Sequence, residues 1–310
     1  LTAGQIGNFG RYGTQGITAT GSNQAVTKNL SGNYPVLIVG AAVRRTSDYN
    51  NNRVLIALRD NGTTQVDLWL SSSNRLYVTR NGTLLGSVSN FSVPLNSWVY
   101  LELKAKIDPT TGYIIVRANG VEVINLTNQN TRATANSFAN QLLLQLSTGY
   151  GTDIWYDDVY VCDDSGTVNN NFLGDVRIRT VYPNAAGSAT QWTPIGASAN
   201  YQAVSEAQAN DDTDYVASAT AGQVDLYQFA ALPAGQVFAV QSILTARKDD
   251  AGSRTIREKV RQGTTTYDGP TVPLGDSYQQ FRNIRNTAPD GSTWSESIFN
   301  ALEWGVELVS

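Results

Sequence analysis

The 310-residue sequence contains no histidine, no methionine and a single cysteine. Without an imidazole, the chain has no Ser-His-Asp triad, no Cys-His pair and no histidine ligand for a metal ion. With one cysteine, Cys162, it forms neither an internal disulfide nor a CxxC site. These absences exclude several common kinds of nucleophilic and metal-dependent catalysis.

Charge is also scarce in this sequence. Charged residues make up 15% of the chain, against about 25% in an average soluble protein. The net charge of -4 argues against nucleic-acid binding, because proteins of that class carry basic surfaces. No apolar run reaches the length of about 18 residues that crosses a membrane, so we expect no membrane insertion.

Strand-type patterns dominate what the sequence does contain. From Trp98 to Ile107, polar and apolar residues alternate, and this period of two predicts a strand with one buried face. Asn-Gly pairs lie between runs of this type, and Asn-Gly favours the tight turn that joins antiparallel strands. The three pairs are Asn61-Gly62, Asn81-Gly82 and Asn119-Gly120.

The predicted organisation is two tandem domains. A polar, turn-rich stretch follows Cys162, and strand patterns resume at Asp175. We therefore predict an all-β chain of two tandem antiparallel β-sandwich (jelly-roll) domains. The first sandwich spans residues 1–163, a linker spans 164–172 and the second sandwich spans 173–310.

Three segments of the first domain carry a family resemblance. They are Ser-Trp-Val-Tyr-Leu-Glu at 97–102, Val-Arg-Ala-Asn-Gly-Val at 116–121 and Ile-Trp-Tyr-Asp-Asp-Val-Tyr-Val at 154–161. In this order, they make residues 10–162 resemble the laminin-G-like form of the concanavalin A-like lectin/glucanase superfamily. The resemblance implies a concanavalin A-like fold for the first domain.

A second resemblance covers nearly the whole chain. Segments 157–163, 172–177, 210–216 and 300–305 resemble structural proteins of tailed bacteriophages and prophages. This resemblance implies a virion protein on the particle surface, as a tail-fibre, tail-associated or head-decoration component assembled in the bacterial host cytoplasm. The expected partners are other virion proteins and further copies of the chain, with a trimer as the expected homo-oligomer. The alternative function is a carbohydrate-binding adhesion module that attaches to host-surface glycans.

Catalysis is not expected from the carboxylates. The glucanase branch of the superfamily places its catalytic carboxylates on one strand as Glu-x-Asp-x-x-Glu, and none of the glutamates begins this pattern. A glycosidase needs two carboxyl groups that flank the sugar. We therefore predict a non-enzymatic protein without a required cofactor.

Acidic residues provide the candidate metal ligands. Asp157, Asp158 and Asp163 carry the oxygen atoms that Ca²⁺ prefers. Neighbouring strand residues point to opposite faces, so Asp157 and Asp158 cannot chelate one ion unless the strand bulges. The favoured alternative is that these side chains bond to backbone groups or to solvent.

Other residues are candidates for ligand or subunit contacts. Aromatic side chains stack on sugar rings, although in a sandwich they more often pack in the core. Arginine suits interfaces between proteins, and acidic loops are either solvated or pair with a neighbouring subunit. The possible glycan platform is Trp69, Tyr77, Trp98 and Trp155; the possible subunit contacts are Arg257, Lys259, Arg261, Asp211, Asp212 and Asp214; and Arg44 and Arg45 are also interpreted as protein contacts.

Overall fold

A computed structural model describes residues 4–7, 10–13, 15–19, 21–48, 51–147 and 154–310. The regular secondary structure of these residues is almost entirely antiparallel β-sheet, so the all-β prediction is confirmed. The chain divides into two compact units, Leu1–Ile178 and Arg179–Ser310. No helix in the described part of the chain is long and apolar enough to cross a membrane.

The first unit contains two antiparallel sheets. The strands are β1 (Gly4–Gly7), β2 (Gly16–Ala19), β3 (Ala25–Tyr34), β4 (Val36–Arg45), β5 (Arg53–Asp60), β6 (Thr63–Leu70), β7 (Leu76–Arg80), β8 (Thr83–Leu85), β9 (Trp98–Lys106), β10 (Gly112–Ala118), β11 (Val121–Gln129), β12 (Ala139–Gln145) and β13 (Ile154–Cys162). The larger sheet has seven strands, in the order β1-β2-β13-β4-β9-β10-β11. The smaller has six, in the order β3-β12-β5-β6-β7-β8.

One hydrophobic core lies between these two sheets. On β9 the side chains of Val99, Leu101 and Leu103 are buried in it, which confirms the alternation predicted for this strand. The register is fixed because a slip of one residue would move these apolar side chains to the outer face. The residues between them therefore point to the outer face of the seven-stranded sheet.

The predicted Asn-Gly turns are also present. Each Asn-Gly pair has positive φ at both residues, with 49° and 79° for Asn119 and Gly120. These are the backbone angles of the tight turn whose twist matches a hairpin. The pairs join β5 to β6, β7 to β8 and β10 to β11.

The boundary between the two units follows Ile178. Residues 164–172, predicted as a linker, therefore belong to the first unit. The physical reason is a set of hydrogen bonds from the residues just after them: Leu173, Gly174 and Ile178 donate backbone N–H groups to side chains of the seven-stranded sheet.

The second unit is built on a five-stranded sheet. Its strands are β14 (Pro183–Thr190), β15 (Thr193–Ile195), β16 (Tyr215–Ala217), β17 (Val224–Phe229), β18 (Val240–Ala246), β19 (Thr255–Gln262), β20 (Thr265–Pro273), β21 (Gln279–Arg285) and β22 (Leu302–Leu308). Five of these strands form the main sheet, in the order β14-β17-β22-β19-β20. The other four form two separate two-stranded sheets, β15-β16 and β18-β21. A 3-10 helix spans Asn200–Val204, and α1 spans Glu296–Asn300, where the Oγ of Ser295 caps the Ile298 N–H at 3.2 Å.

Candidate functional site

The outer face of the seven-stranded sheet holds the candidate site. Strand pairing places Arg44 of β4 between Trp155 of β13 and Trp98 of β9. All three side chains point outward, because their neighbours along each strand are in the core. We call these three residues the aromatic row.

The aromatic row is a half-buried surface with a cation at its centre. The guanidinium carbon of Arg44 lies 4.7 Å from the centre of the Trp155 ring, within the range of a cation–π contact. The two tryptophans are two strands apart, or about 10 Å between backbones at the usual strand spacing. Two of the four predicted glycan-platform residues are thus brought together.

Arg44 has no acidic partner among the described residues. No carboxylate of that part of the chain lies within 4.0 Å of its guanidinium, and its buried Nε has no hydrogen-bond acceptor. Arg45, the next residue, points to the other side, where its Nε donates to the Val93 carbonyl at 2.7 Å. Arg44 therefore offers donors that the described residues of its unit do not use.

Near the middle of β4, four residues before Arg44, the carboxylate of Glu102 and the phenol of Tyr160 lie next to each other above Gly40. Register places Gly40 between Tyr160 and Glu102, and the Tyr160 hydroxyl donates to Glu102 Oε1 at 2.5 Å. Burial, and then the bond to Glu102, raises the pKa of Tyr160, so this phenol is protonated. Glu102 is 1% exposed, and its Oε2 has no hydrogen-bond partner among the described atoms.

A bulge in β13 determines where the predicted metal ligands point. The register shifts between Asp157 and Tyr160, and Asp158 takes a positive φ of 50°. Asp157 accepts from the N–H groups of Arg11 and Asp158 at 2.7 and 2.8 Å, and Asp158 Oδ1 accepts from the Ile178 N–H at 2.8 Å. Burial raises the pKa of Asp158.

Asp163 follows the end of β13 and accepts a hydrogen bond from the loop after that strand. Its Oδ1 accepts from the Ser165 N–H at 2.7 Å. In the described part of the chain, no three acidic or cysteine side chains are grouped so that they could hold a metal ion. The three aspartates therefore accept hydrogen bonds from backbone amides in this structure, and the expectation that no cofactor is required stays a prediction.

The other two predicted glycan-platform residues lie on the six-stranded sheet. Trp69 and Tyr77 are opposite each other on β6 and β7, and their rings stack with centroids 5.8 Å apart. Asp67 lies on the same outer face, is 4% exposed and accepts from the Thr79 hydroxyl. Burial raises the pKa of Asp67. The four aromatics thus form two separate surfaces on opposite sheets.

The predicted subunit-contact residues bond within the second unit. Arg257 and Lys259 both pair with Glu307 and Asp268 across neighbouring strands, and Arg261 pairs with Glu303 at 3.3 Å. In the acidic loop, Asp212 pairs with Arg247 at 2.9 Å, Asn210 donates to Asp214, and Asp211 has a positive φ of 56°. The homo-oligomer remains a prediction.

Two further depressions lie among the described residues. One of about 480 Å³ lies beside β3 and is lined mainly by amides and hydroxyls that bond to each other, as Asn140 does to Asn33 and Asn61. One of about 540 Å³ in the second unit is lined by charged side chains, among which Lys248 pairs with Asp276 at 2.7 Å. In the second depression, Asp250 also accepts from Arg254 through Oδ2 at 2.7 Å, while its buried Oδ1 has no hydrogen-bond partner among the described atoms.

Several residues of the outer face did not emerge as candidates from the sequence. Arg44 was interpreted as a protein contact, and Tyr160 and Glu102 were not singled out. The alternation of β9 placed Glu102 on its polar face, which was a usable signal. The pairing of β4 between β9 and β13 is long-range, and the sequence carries no local signal for it.

The fold of the first unit is a concanavalin-like β-sandwich. No family model matches the chain, and no curated protein matches it. Solved structures with a similar fold include a Trypanosoma rangeli sialidase in complex with the inhibitor DANA, at 12% identity and a TM-score of 0.38. The alignment covers 51% of this chain but only 26% of that one.

Two further structures show the same kind of likeness. The alginate lyase Aly36B, in a mutant bound to alginate trisaccharide, is 12% identical with a TM-score of 0.36, over 47% of this chain and 80% of the lyase. A heptameric SAP-like pentraxin from Limulus polyphemus is 12% identical with a TM-score of 0.32, over 46% of this chain and 73% of the pentraxin. At these identities, the similarity to all three structures concerns the fold alone.

These comparisons correct two predictions. Sialidase and alginate lyase are enzymes that act on carbohydrates, and none of the three structures is a phage component. The prediction of a phage structural protein is therefore wrong, and so is the prediction that the chain is not an enzyme. The concanavalin-like part of the family resemblance is confirmed.

Proposed function

We propose that the chain binds carbohydrate on the outer face of the seven-stranded sheet. Trp98 and Trp155 provide the stacking surfaces, and Arg44 provides hydrogen-bond donors between them. The observation that supports the proposal is strand register, which sets an arginine without an acidic partner between two outward tryptophans. A sugar ring has apolar faces and polar edges, and a site of aromatic surface with a few directed polar groups suits both.

Arg44 favours an acidic sugar as the ligand. A guanidinium binds a carboxylate through paired, charge-assisted hydrogen bonds, which are stronger than bonds to neutral hydroxyls. No described carboxylate of the chain takes that position. The proposed ligand class is therefore a uronate-containing polysaccharide.

Titration of the full chain with a uronate oligosaccharide, and with a neutral oligosaccharide of equal length, tests this proposal. We expect Trp98→Ala and Trp155→Ala to weaken binding of both ligands by about tenfold, since each removes about 1.4 kcal/mol of stacking and burial. We expect Arg44→Gln to weaken binding of the uronate alone by a similar factor.

Trp69→Ala is the matched control, because it removes the same side chain from the other sheet. It should leave both affinities unchanged. If Trp69→Ala weakens binding and the aromatic-row variants do not, the glycan lies on the six-stranded sheet. Failure of the unaltered chain to bind either ligand would overturn the proposed function.

A further inference from the structure

Residues 171–178, here called the strap, cross the outer face of the seven-stranded sheet beside the aromatic row. No residue of the strap is fully buried, and Tyr160 beneath it is half-buried, whereas the two carboxylates beneath it are fully buried. Glu102 and Asp158 are 1% and 4% exposed. A surface segment without regular structure therefore covers two carboxylates.

The strap attaches to these carboxylates through consecutive backbone donors. Leu173 donates its N–H to the Tyr160 hydroxyl at 3.1 Å, and Gly174 donates to Glu102 Oε1 at 2.8 Å. Further along, the Ile178 N–H reaches Asp158 Oδ1 at 2.8 Å. The strap thus supplies backbone N–H donors to the Tyr160 hydroxyl and to the carboxylates of Glu102 and Asp158.

Further contacts also hold the strap: Asn171 accepts from Lys104 Nζ at 3.1 Å through its side chain and from the Cys162 thiol through its carbonyl, and the Arg177 guanidinium carbon lies 4.1 Å from the centre of the Tyr12 ring. Asp175 pairs with Arg11 through both carboxylate oxygens, and the Phe172 ring lies 4.2 Å from the Arg117 guanidinium carbon. Among the described residues, the strap makes one backbone–backbone hydrogen bond, from Val176 to Gly174 within itself. A segment without a ladder and with little buried apolar surface opens at a lower free-energy cost than a strand.

The covered site has acceptors that the strap does not use. Glu102 Oε2 and Asp158 Oδ2 are buried and lack hydrogen-bond partners among the described atoms, although the Arg11 guanidinium forms an ion pair with Asp158 Oδ2 at 3.8 Å. An ionised carboxylate offers about four acceptor positions. Buried polar atoms are normally satisfied, because an unpaired one costs about 1–3 kcal/mol. The site therefore accommodates more donors than three backbone N–H groups.

We propose that Glu102, Tyr160 and Asp158 form a second carbohydrate-binding site, which the strap occupies as a displaceable internal ligand. Its ligand is a neutral sugar, because sugar hydroxyl groups supply the hydrogen-bond donors that the two carboxylates accept. The N–H groups of the strap stand in for those hydroxyls. That the ligand is a carbohydrate rests on the proposed function, but this site differs from the aromatic row in favouring a neutral sugar and shares no residue with it.

A strap-release variant tests the proposal. Phe172→Ala, Leu173→Pro and Asp175→Ala together remove the contact with Arg117, the bond to Tyr160 and the pair with Arg11. Faster hydrogen exchange of the strap confirms its release. We expect this variant to bind a neutral oligosaccharide at least about tenfold more tightly than the unaltered chain, since apparent affinity rises with the fraction of open site.

Two added substitutions separate this site from the aromatic row. Glu102→Gln in the release variant should abolish the gain, and Trp155→Ala should leave it. The strap proposal is overturned if the tighter binding persists after Glu102→Gln, or if the strap is released and binding of the neutral oligosaccharide does not tighten. Loss of binding by Trp155→Ala in the unaltered chain concerns only the proposed function.

The unaltered chain provides a second measurement in case the release variant does not fold. A saturating neutral oligosaccharide should displace the strap, so exchange of the Leu173, Gly174 and Ile178 amides should become at least about threefold faster. Slower or unchanged exchange on saturation would contradict the proposal.

Discussion

Substitution of Gly40 by alanine should lower the free energy of unfolding of the first unit by about 1–3 kcal/mol. A Cβ atom at this position would lie 2.0 Å from Cε1 and 2.6 Å from Cζ of Tyr160. The phenol ring therefore has to leave its place above the backbone. Its bond to Glu102, and with it the bond from Leu173, would be lost.

A double-mutant cycle with Tyr160→Ala checks the cause. Without the ring, the new methyl group has space, so Gly40→Ala should cost much less in that background, and the difference is the coupling energy. Gly21→Ala is the matched control, because its Cβ would meet only the end of the Gln24 side chain, at 3.4 Å. Equal costs with and without the Tyr160 ring would show that backbone strain, not this contact, is responsible.

Local patterns predicted much of the sandwich. Alternation along β9 placed Val99, Leu101 and Leu103 in the core, and the Asn-Gly pairs marked three hairpins. Both signals lie within a few residues of the feature that they predict. They work because the side-chain direction and the turn angles are properties of the local backbone.

The site depended on features without such a local signal. The prediction that β9 has one buried face was incomplete, because the strap also covers Glu102 on the other face. The strap bonds to side chains of the sheet through backbone N–H groups, which every residue except proline carries, so the composition of this segment did not predict its place. The bulge at Asp158, which turns its carboxylate toward Ile178, is not encoded by any spacing in β13.

Removal of the Asp225 side chain should cause a large loss of stability in the second unit. Asp225 is 0% exposed and accepts from the Asn200 amide at 2.9 Å and from the Tyr227 hydroxyl at 2.6 Å. Asp225→Ala leaves two buried donors without this acceptor. At about 1–3 kcal/mol each, we expect a loss of about 2–6 kcal/mol in the acid range, where the carboxyl group is neutral.

The same loss should become smaller as the pH rises. Burial raises the pKa of Asp225 in the folded state, and this effect exceeds the opposing hydrogen bonds from Tyr227 and Asn200. The stability that this group contributes is therefore fully present below its unfolded pKa of about 3.9 and is lost as the pH rises through the folded pKa. The difference between the unaltered chain and Asp225→Ala should be larger at about pH 4 than at about pH 7.

Denaturant unfolding across this pH range, with hydrogen exchange of Val224–Phe229 to localise the effect, measures the difference. Asp276→Asn is the control with the opposite sign, because Lys248 lowers the pKa of Asp276 and its contribution is lost as the pH falls. If the cost of Asp225→Ala instead grows toward neutral pH, the hydrogen bonds to the ionised carboxylate outweigh its burial. The hydrogen bonds from Asn200 and Tyr227 would then stabilise the ionised form of Asp225 in the folded second unit.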